Sequence, residues 1–343
     1  MKKLLNTLFV LTEDAYLSLE NQNAVVNFED GTRKLFPLIG LEEILSFSYK
    51  GASPALIGEC ARRDISFVML TPRGRFLAQA AGRTQGNVLL RKEQYRIAES
   101  GERKLAIARN MIIGKLYNSR WSLERSIRDH GLRIETEKVK TASERILSAI
   151  HQIGQASDLD SLRGIEGEAA AVYFSVFNEL ILNQKEDFTF ADRSRRPPMD
   201  RMNAMLSFGY AILRNDCASA LESVGLDPYV GVMHGNRPGR ESLALDFIEE
   251  LRPVMVDRMA LTLVNNRMID RKSFDCQEDG SVLLNDKGRK IFLSFWQERK
   301  RSEITHPFLK EKMQWGLVPY IQSLLLTRYI RGDLDSYPPF LWK

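Results

Sequence analysis

Between Val230 and Asp257 the chain reads "VGVMHGNRPGRESLALDFIEELRPVMVD", which gathers a histidine, a glycine- and arginine-rich loop and a helix bearing three closely spaced carboxylates. His234, one of four histidines, ends a short apolar run just before Arg237-Pro238-Gly239. Asp246, Glu249 and Glu250 follow at i, i+3 and i+4. That spacing puts them on one face of a helix whose apolar stripe is Leu243, Phe247, Leu251 and Val254. If the loop folds back on this helix, imidazole and carboxylate meet, and such a set suits a hard divalent ion, Mg²⁺ or Mn²⁺. The same residues also describe a solvated acidic face beside a structural histidine. Spacing alone leaves both open.

Other stretches offer chemistry of the same kind. "LRGIEGEAAAVYFSVFNELIL" sets Glu166 between Gly164 and Gly167 at a predicted helix start, where the missing side chains let a backbone or a nucleic-acid strand come close. Glu166, or equally Glu168, also suits the plainer task of facing a helix dipole. "DRSRRPPMDRMNAMLSFGYAIL" clusters Arg193, Arg195 and Arg196 beside two prolines, a rigid basic loop able to grip phosphate. Asp200, Asn203 and Ser207 then form a polar stripe that needs partners if buried, an interhelical hydrogen-bond network being the simplest. "RKLAIARNMIIGKLYNSRWSLERSIRDHGLR" is a basic helix carrying Arg109, Lys115 and Arg125, a solvated face and a possible phosphate surface at once. "WQERKRSEITHPFLKEK" is a further basic patch, and no carboxylate motif accompanies its His306. The sequence holds no GxGxxG fingerprint, P-loop or HExxH, and no catalytic Ser/Cys–His set stands out.

These residues need a scaffold. "TLFVLTEDAYLSLENQNAVVNFEDGTRKLFPL" alternates in the manner of short strands broken by turn signals, and "ISFVMLTPRGRFLAQAAG" reads as a hairpin turning at Pro72-Arg73-Gly74. Between them "SPALIGECARRD" predicts a short helix capped by Ser53 with Pro54 at its first position. After "GRTQGNVLLRKEQ" the period becomes helical, predicting helices near 99–130, 141–156, 164–183, 200–224, 243–266, 285–300 and 309–331. Gly225 with Pro228 should stop the fourth. The expected fold class is α+β: a β-rich domain over 1–85, a linker over 86–98 and a larger all-α catalytic domain over 99–343.

At 343 residues, 44% hydrophobic and 27% charged, the chain has ample material for two cores. No apolar run approaches a membrane span, and acidic residues come too early for a signal peptide, so a cytoplasmic protein is expected. Cys60, Cys217 and Cys276 are far apart and lack CxxC spacing, which argues against a disulfide framework or a zinc ribbon. Forty-nine basic against 44 acidic residues, net +5, is a mild excess that makes a polyanionic partner plausible.

Taken together, "RGIEGEAAAVYF", "FADRSRRPPMDRMNAMLSFGYAIL", "GLDPYVGVMHGNRPGRESLALDFIEELRPVMVD" and "GRKIFLSFWQER" resemble the CRISPR-associated Cas-one family, the endonuclease and integrase of spacer acquisition. The resemblance runs over nearly the whole chain, and the opening and linker are similar to the subtype I-C branch. It implies a β-rich N-terminal domain serving dimerisation and DNA contacts, an all-α catalytic domain, and a homodimer that assembles in pairs about a Cas-two dimer as a heterohexamer. It also implies double-stranded DNA, prespacer and CRISPR repeat, as substrate. Carried over to this sequence, the family's catalytic metal ligands fall on Glu166, His234 and Glu249, and Asp246 matches a supporting acidic position. Some relatives have aspartate where Glu249 stands; Glu250 and Glu168 match no ligand position. Arg193, Arg195, Arg196, Arg109 and Lys115 are the expected phosphate contacts. Two other functions remain open at this stage: a stand-alone metal-dependent nuclease or resolvase on branched DNA, and a non-catalytic DNA-binding scaffold.

Overall fold

The strands come first, where the alternating pattern puts them. In the computed structural model, which describes residues 7–41, 43–72, 76–80 and 88–343, Thr7–Val10 (β1), Tyr16–Glu20 (β2), Asn23–Asn27 (β3), Arg33–Pro37 (β4) and Glu43–Ser46 (β5) precede a helix, Pro54–Arg62 (α1). Ser66–Leu70 (β6) and Phe76–Ala80 (β7) follow it. The β2–β3–β4 meander is antiparallel, Leu17 facing Val26 and Val25 facing Leu35. Asn21 and Gln22 turn its first hairpin with φ of 45° and 63°, the left-handed pair that a tight two-residue turn demands. The second sheet runs β1–β5–β6–β7, with β1, β5 and β6 parallel and β7 antiparallel. All four residues of β5 are buried, as expected for a parallel strand covered on both faces. The β6–β7 pairing is the predicted hairpin; Arg73 and Gly74 of its predicted turn lie outside the described residues. Helix α1 is capped as read: the Ser53 side chain accepts the Leu56 N–H at 3.2 Å.

Helices dominate from residue 88: Val88–Glu99 (α2), Gly101–His130 (α3), Thr136–Ile153 (α4), Leu159–Ser175 (α5) and Arg201–Ser223 (α6). Then come Ser242–Phe247 (α7), Arg258–Asn265 (α8), Asp286–Arg301 (α9) and Val318–Ile330 (α10). Short strands Phe274–Cys276 (β8) and Val282–Leu284 (β9) pair with each other, as do Glu303–Thr305 (β10) and Lys312–Gln314 (β11). The result is the expected α+β class, β-rich at the N-terminus and mostly helical after it. Among the described residues no helix is long and apolar enough to cross a membrane.

Four expectations change. Residues 88–98, placed within a linker, belong to helix α2, held where Gln94 donates to the Asp227 carbonyl at 2.7 Å and accepts the Asp227 N–H at 2.9 Å. The chain packs as two units, Met1–Gly86 with Leu284–Ile304 and Met313–Val318, and Asn87–Leu283 with Thr305–Lys312 and Pro319–Lys343. A single cut between a β domain and a helical domain is therefore not the division the chain makes. The predicted helix over 309–331 begins only at Val318, because β11 and a 3₁₀ turn occupy its front. Most consequential is the helix expected over 243–266. It breaks after Phe247 and passes through a π-helical turn at Arg252–Asp257 before α8. Pro253 has no N–H to give, so the regular i→i−4 ladder cannot run through it, and wider turns of this kind recur at functional sites.

Candidate metal centre

The broken helix sends its three carboxylates three ways. Asp246, in α7, faces the loop that carries His234. Its Oδ2 accepts the backbone N–H groups of Val232 at 2.7 Å and Met233 at 2.9 Å, its Oδ1 accepts that of His234 at 2.9 Å, and the Nδ1 of the His234 ring lies against Oδ1. Asp246 is wholly buried, and this donor set compensates its charge. In the neutral tautomer that donates Nδ1–H to Asp246, the other ring nitrogen, Nε2, keeps its lone pair, the carboxylate–histidine arrangement typical behind a metal ligand. The loop is drawn in tightly. A Cβ on Gly231 would sit 2.7 Å from the His234 carbonyl oxygen and 2.9 Å from Asp246 Oδ2. Arg163 of α5 donates to the Met233 carbonyl, and Ser242 Oγ to that of Gly235 at 3.0 Å. The folding back of loop on carboxylate helix that the sequence suggested is present.

Glu249 follows α7 and points the other way, towards α3 and α5. Lys115 of α3 stands between Glu249 and Glu166 of α5, its Nζ 2.8 Å from Glu249 Oε2 and in direct ion-pair contact with Glu166 Oε1. Arg252 holds the other Glu249 oxygen at 2.5 Å. Burial alone would raise the Glu249 carboxyl, but the charges of Arg252 and Lys115 outweigh it and hold the pKa at about 2. Burial likewise works against the Lys115 ammonium, and the charges of Glu249 and Glu166 outweigh it, so that its pKa is raised. Glu166 lies in the second turn of α5, after the Asp158 cap, not at the helix start. A Cβ at Gly164 or Gly167 would meet nothing within 4 Å, so the surface beside Glu166 is open.

Glu250, the third carboxylate, takes no part in this cluster. It accepts from Tyr337 Oη, from the Phe340 N–H at 2.7 Å and from Gln322 at 3.2 Å, which fastens the C-terminal segment. Helix α3 passes so close that a Cβ on Gly114 would lie 2.8 Å from Glu250 Cβ.

Two carboxylates and a free imidazole nitrogen make a donor set for a hard divalent cation. Two observations fit such an ion. Glu249 Oε2 is buried and receives no well-aligned hydrogen bond, and the group that neutralises it is a cation, Lys115. As they stand, no three His, Cys, Asp or Glu side chains among the described residues converge on one point. The ammonium holds the carboxylates where an ion would draw them together.

Lys115 and His234 look into a cavity of about 920 Å³ whose lining also includes seven arginines and only two carboxylates, Glu241 and Asp257. Arg195 and Arg196 are exposed at it, as the rigid basic loop predicted. Arg193 is turned inward instead: it donates to Asn203 Oδ1 at 2.6 Å and to Ser207 at 3.2 Å, and packs over the Tyr210 ring. The polar stripe of α6 is thus a network that braces this loop. Arg109 donates to the Ala156 carbonyl and does not line the cavity, and Lys115, expected at phosphate, is buried among carboxylates. Sequence reasoning missed Arg252 and Asp257. Arg252 stands at i+3 from Glu249, a spacing that signals an ion pair. Asp257 accepts from Tyr210 at 2.6 Å, and burial pushes its pKa up to about 6.

The family model described as CRISPR associated protein Cas1 matches residues 8–298. The chain belongs to the Cas1 family. It is 46% identical over 343 residues to "CRISPR-associated endonuclease Cas1 1" of Chlorobaculum tepidum, and 48% identical over 347 residues to "CRISPR-associated endonuclease Cas1 2" of Rhodospirillum rubrum, each match covering both chains completely. Among solved structures it is similar to a casposase bound to integration product (TM-score 0.83, 22% identity, 98% of this chain and 93% of that one). It is also similar to a Cas6-RT-Cas1–Cas2 complex (TM-score 0.82, 22% identity, all of this chain and 36% of that one). At those identities the two likenesses establish a shared fold. Membership of the Cas1 family agrees with the resemblance carried by the four sequence stretches.

Proposed function

We propose that the protein is a CRISPR spacer-acquisition integrase: a metal-dependent DNA endonuclease that joins prespacer 3′-hydroxyl ends to the CRISPR repeat by transesterification. The observation that carries this reading is the arginine-lined cavity with His234 on its wall and the Glu166–Lys115–Glu249 cluster beside it. The endonuclease names of the relatives, and the likeness to a casposase on its integration product, support it.

Glu166, His234 and Glu249 would hold Mg²⁺ or Mn²⁺, which when bound supplies Lewis-acid polarisation of the phosphodiester and neutralises charge developing on it. The protein's own residues do the rest. Asp246 fixes the imidazole so that Nε2 is the nitrogen presented. Arg252 keeps Glu249 ionised and placed. Arg195, Arg196, Arg237 and Arg240 give the cavity the positive potential that holds a phosphate backbone in register. The nucleophile comes with the substrate, a DNA 3′-hydroxyl for joining or water for cleavage, so no covalent protein intermediate is needed. The remaining parts of the reading are a homodimer, pairing of two dimers about a Cas2 dimer, a subtype I-C assignment and action in the cytoplasm. The likeness to a Cas1–Cas2 assembly supports the partner.

The test is strand transfer of a labelled prespacer into a supercoiled plasmid bearing a repeat, with and without the Cas2 partner, in Mn²⁺, Mg²⁺ or EDTA. Metal-dependent joining that Glu166→Ala, His234→Ala and Glu249→Ala each abolish, with DNA affinity kept, is the expected result. Cleavage without joining would indicate a stand-alone nuclease, binding with neither a scaffold. Activity retained in all three variants would refute the ligand assignment.

A further inference from the structure

Further along α3, beyond Lys115, Trp121 and Trp342 wall a separate cavity of about 360 Å³. Its remaining charged side chains are all cations: Arg125, Arg128, Arg258 and Lys343. The tail that supplies Trp342 and Lys343 is fixed in place. Asn118 of α3 donates to the carbonyls of Glu250 and Phe340, both at 2.7 Å, and accepts the Trp342 N–H at 2.9 Å. Both indoles carry a cation over the ring, the Arg258 guanidinium 4.2 Å from the Trp342 centroid and the Lys343 ammonium 4.5 Å from that of Trp121. Arg125 and Arg128 share one carboxylate between them, Asp129, at 3.2 and 2.8 Å. The side chains lining this cavity include four cations and no carboxylate, an arrangement that favours an anion.

We propose that this cavity binds an unpaired nucleotide of a DNA strand, the base against the indoles and its phosphate at Arg125 and Arg128. The combination of aromatic faces with a positive groove is what single-stranded nucleic acid requires, whereas a bare phosphate would make no use of the indoles. The volume falls at the lower end of the small-ligand range, roughly 300 to 1,000 Å³, which suits one nucleotide. An adjoining cavity of about 320 Å³ opens on the same Ser122, Arg125 and Arg258 and extends to Arg133 and Asn266. A free nucleotide would occupy only the first chamber; a strand continues into the second. None of these residues is a proposed metal ligand, so the inference stands apart from the metal centre.

The experiment uses the full-length chain and a fluorescein-labelled oligothymidylate, with binding read by anisotropy over a range of salt. The Arg125→Ala/Arg128→Ala double variant removes two side chains that are 49% and 67% exposed, so its fold should survive, as its melting curve would verify. We expect affinity to fall about tenfold and the log–log salt slope to become shallower by about 0.7 for each phosphate that the variant no longer neutralises. Trp342→Ala should weaken binding with the slope unchanged, since stacking releases no counterions. Photocross-linking with an iododeoxyuridine-substituted strand should label the peptide containing Trp121 or Trp342. Equal competition by free AMP would reassign the cavity to free nucleotides and overturn the strand. Wild-type affinity in both variants, or cross-links confined to 193–214 and 234–252, would overturn the site altogether.

Discussion

Replacing Lys115 by methionine isolates what the ammonium does, because methionine matches its length and leaves the charge behind. In the wild-type chain Lys115 is only 9% exposed and neutralises Glu166 and Glu249, the latter 3% exposed. Removing one partner of a buried pair typically costs about 3 to 5 kcal/mol, since the other charge stays desolvated. Two features put this site at the lower bound. Arg252 remains 2.5 Å from Glu249, and the Glu166 side chain, 21% exposed, can turn towards water. A loss of about 3 kcal/mol in a unit of about 230 residues lowers the melting midpoint by roughly 6 to 12 °C. The sign reverses for metal. Any divalent cation seated on Glu166 and Glu249 must displace the ammonium in the wild type but not in Lys115→Met. Manganese should therefore raise the variant's midpoint by more than the wild type's, as expected when a ligand binds the folded state more tightly. Calorimetry of both proteins in EDTA and in Mn²⁺ provides the check. A variant that melts within a degree or so of wild type in EDTA would remove the ion-pair argument. A manganese shift no larger than wild type's would show that Lys115 does not occupy the cation's place.

Two further outcomes follow from named interactions. Gly231→Ala places a methyl 2.7 Å from both the His234 carbonyl oxygen and Ser242 Cβ, which forces the loop off Asp246. Overpacking of this kind costs about 1 to 3 kcal/mol. Displaced support behind a metal ligand reduces activity about 10- to 100-fold; strand transfer beside a melting curve measures both, and unchanged transfer would show that the loop tolerates the shift. His306 is fully buried, its Nε2 3.1 Å from Gln322 Oε1 and its Nδ1 accepting the Leu309 N–H. Burial depresses its pKa to about 4 from 6.5. The folded state thus binds fewer protons than the unfolded one, and the contribution of neutral His306 is intact above 6.5 and lost as pH falls towards 4. The loss reaches about 2 kcal/mol near pH 5, so His306→Gln should lose less stability than wild type between neutral pH and pH 5. Parallel stability profiles for the two proteins would contradict the assignment.

How much of this was legible in the sequence depended on whether the cause was local. Ser53 and Gly225 act within a few residues, and each caps or stops its helix as the sequence indicates. The approach of His234 to Asp246 was legible because the two are close in sequence and joined by a loop rich in glycine. Glu166 could be named as a ligand only through family resemblance. Its proximity to Glu249 comes from packing of α3 against α5, and periodicity within either helix contains no trace of it. Lys115 illustrates the point from the other side. In a basic helix it looks like one more phosphate contact, and only the tertiary fold turns it inward to face two carboxylates.

The broken helix explains why Glu249 and Glu250, adjacent and chemically identical, differ in task. An uninterrupted helix would have set Asp246, Glu249 and Glu250 on one face, where three charges would repel each other or share a single ion. Interruption at Pro253 frees the preceding turn from helical periodicity, so each carboxylate is aimed separately. Asp246 orients the histidine, Glu249 faces Lys115, and Glu250 fastens Tyr337 and Phe340. The last of these interactions draws the C-terminal segment and α3 together on the far side of the turn, where Asn118 binds the carbonyls of both Glu250 and Phe340. The turn bearing Glu249 is therefore clamped from behind by its neighbour in sequence. A carboxylate buried against arginine and lysine is held in position by such a brace, and no regular helix would provide it from the adjacent residue.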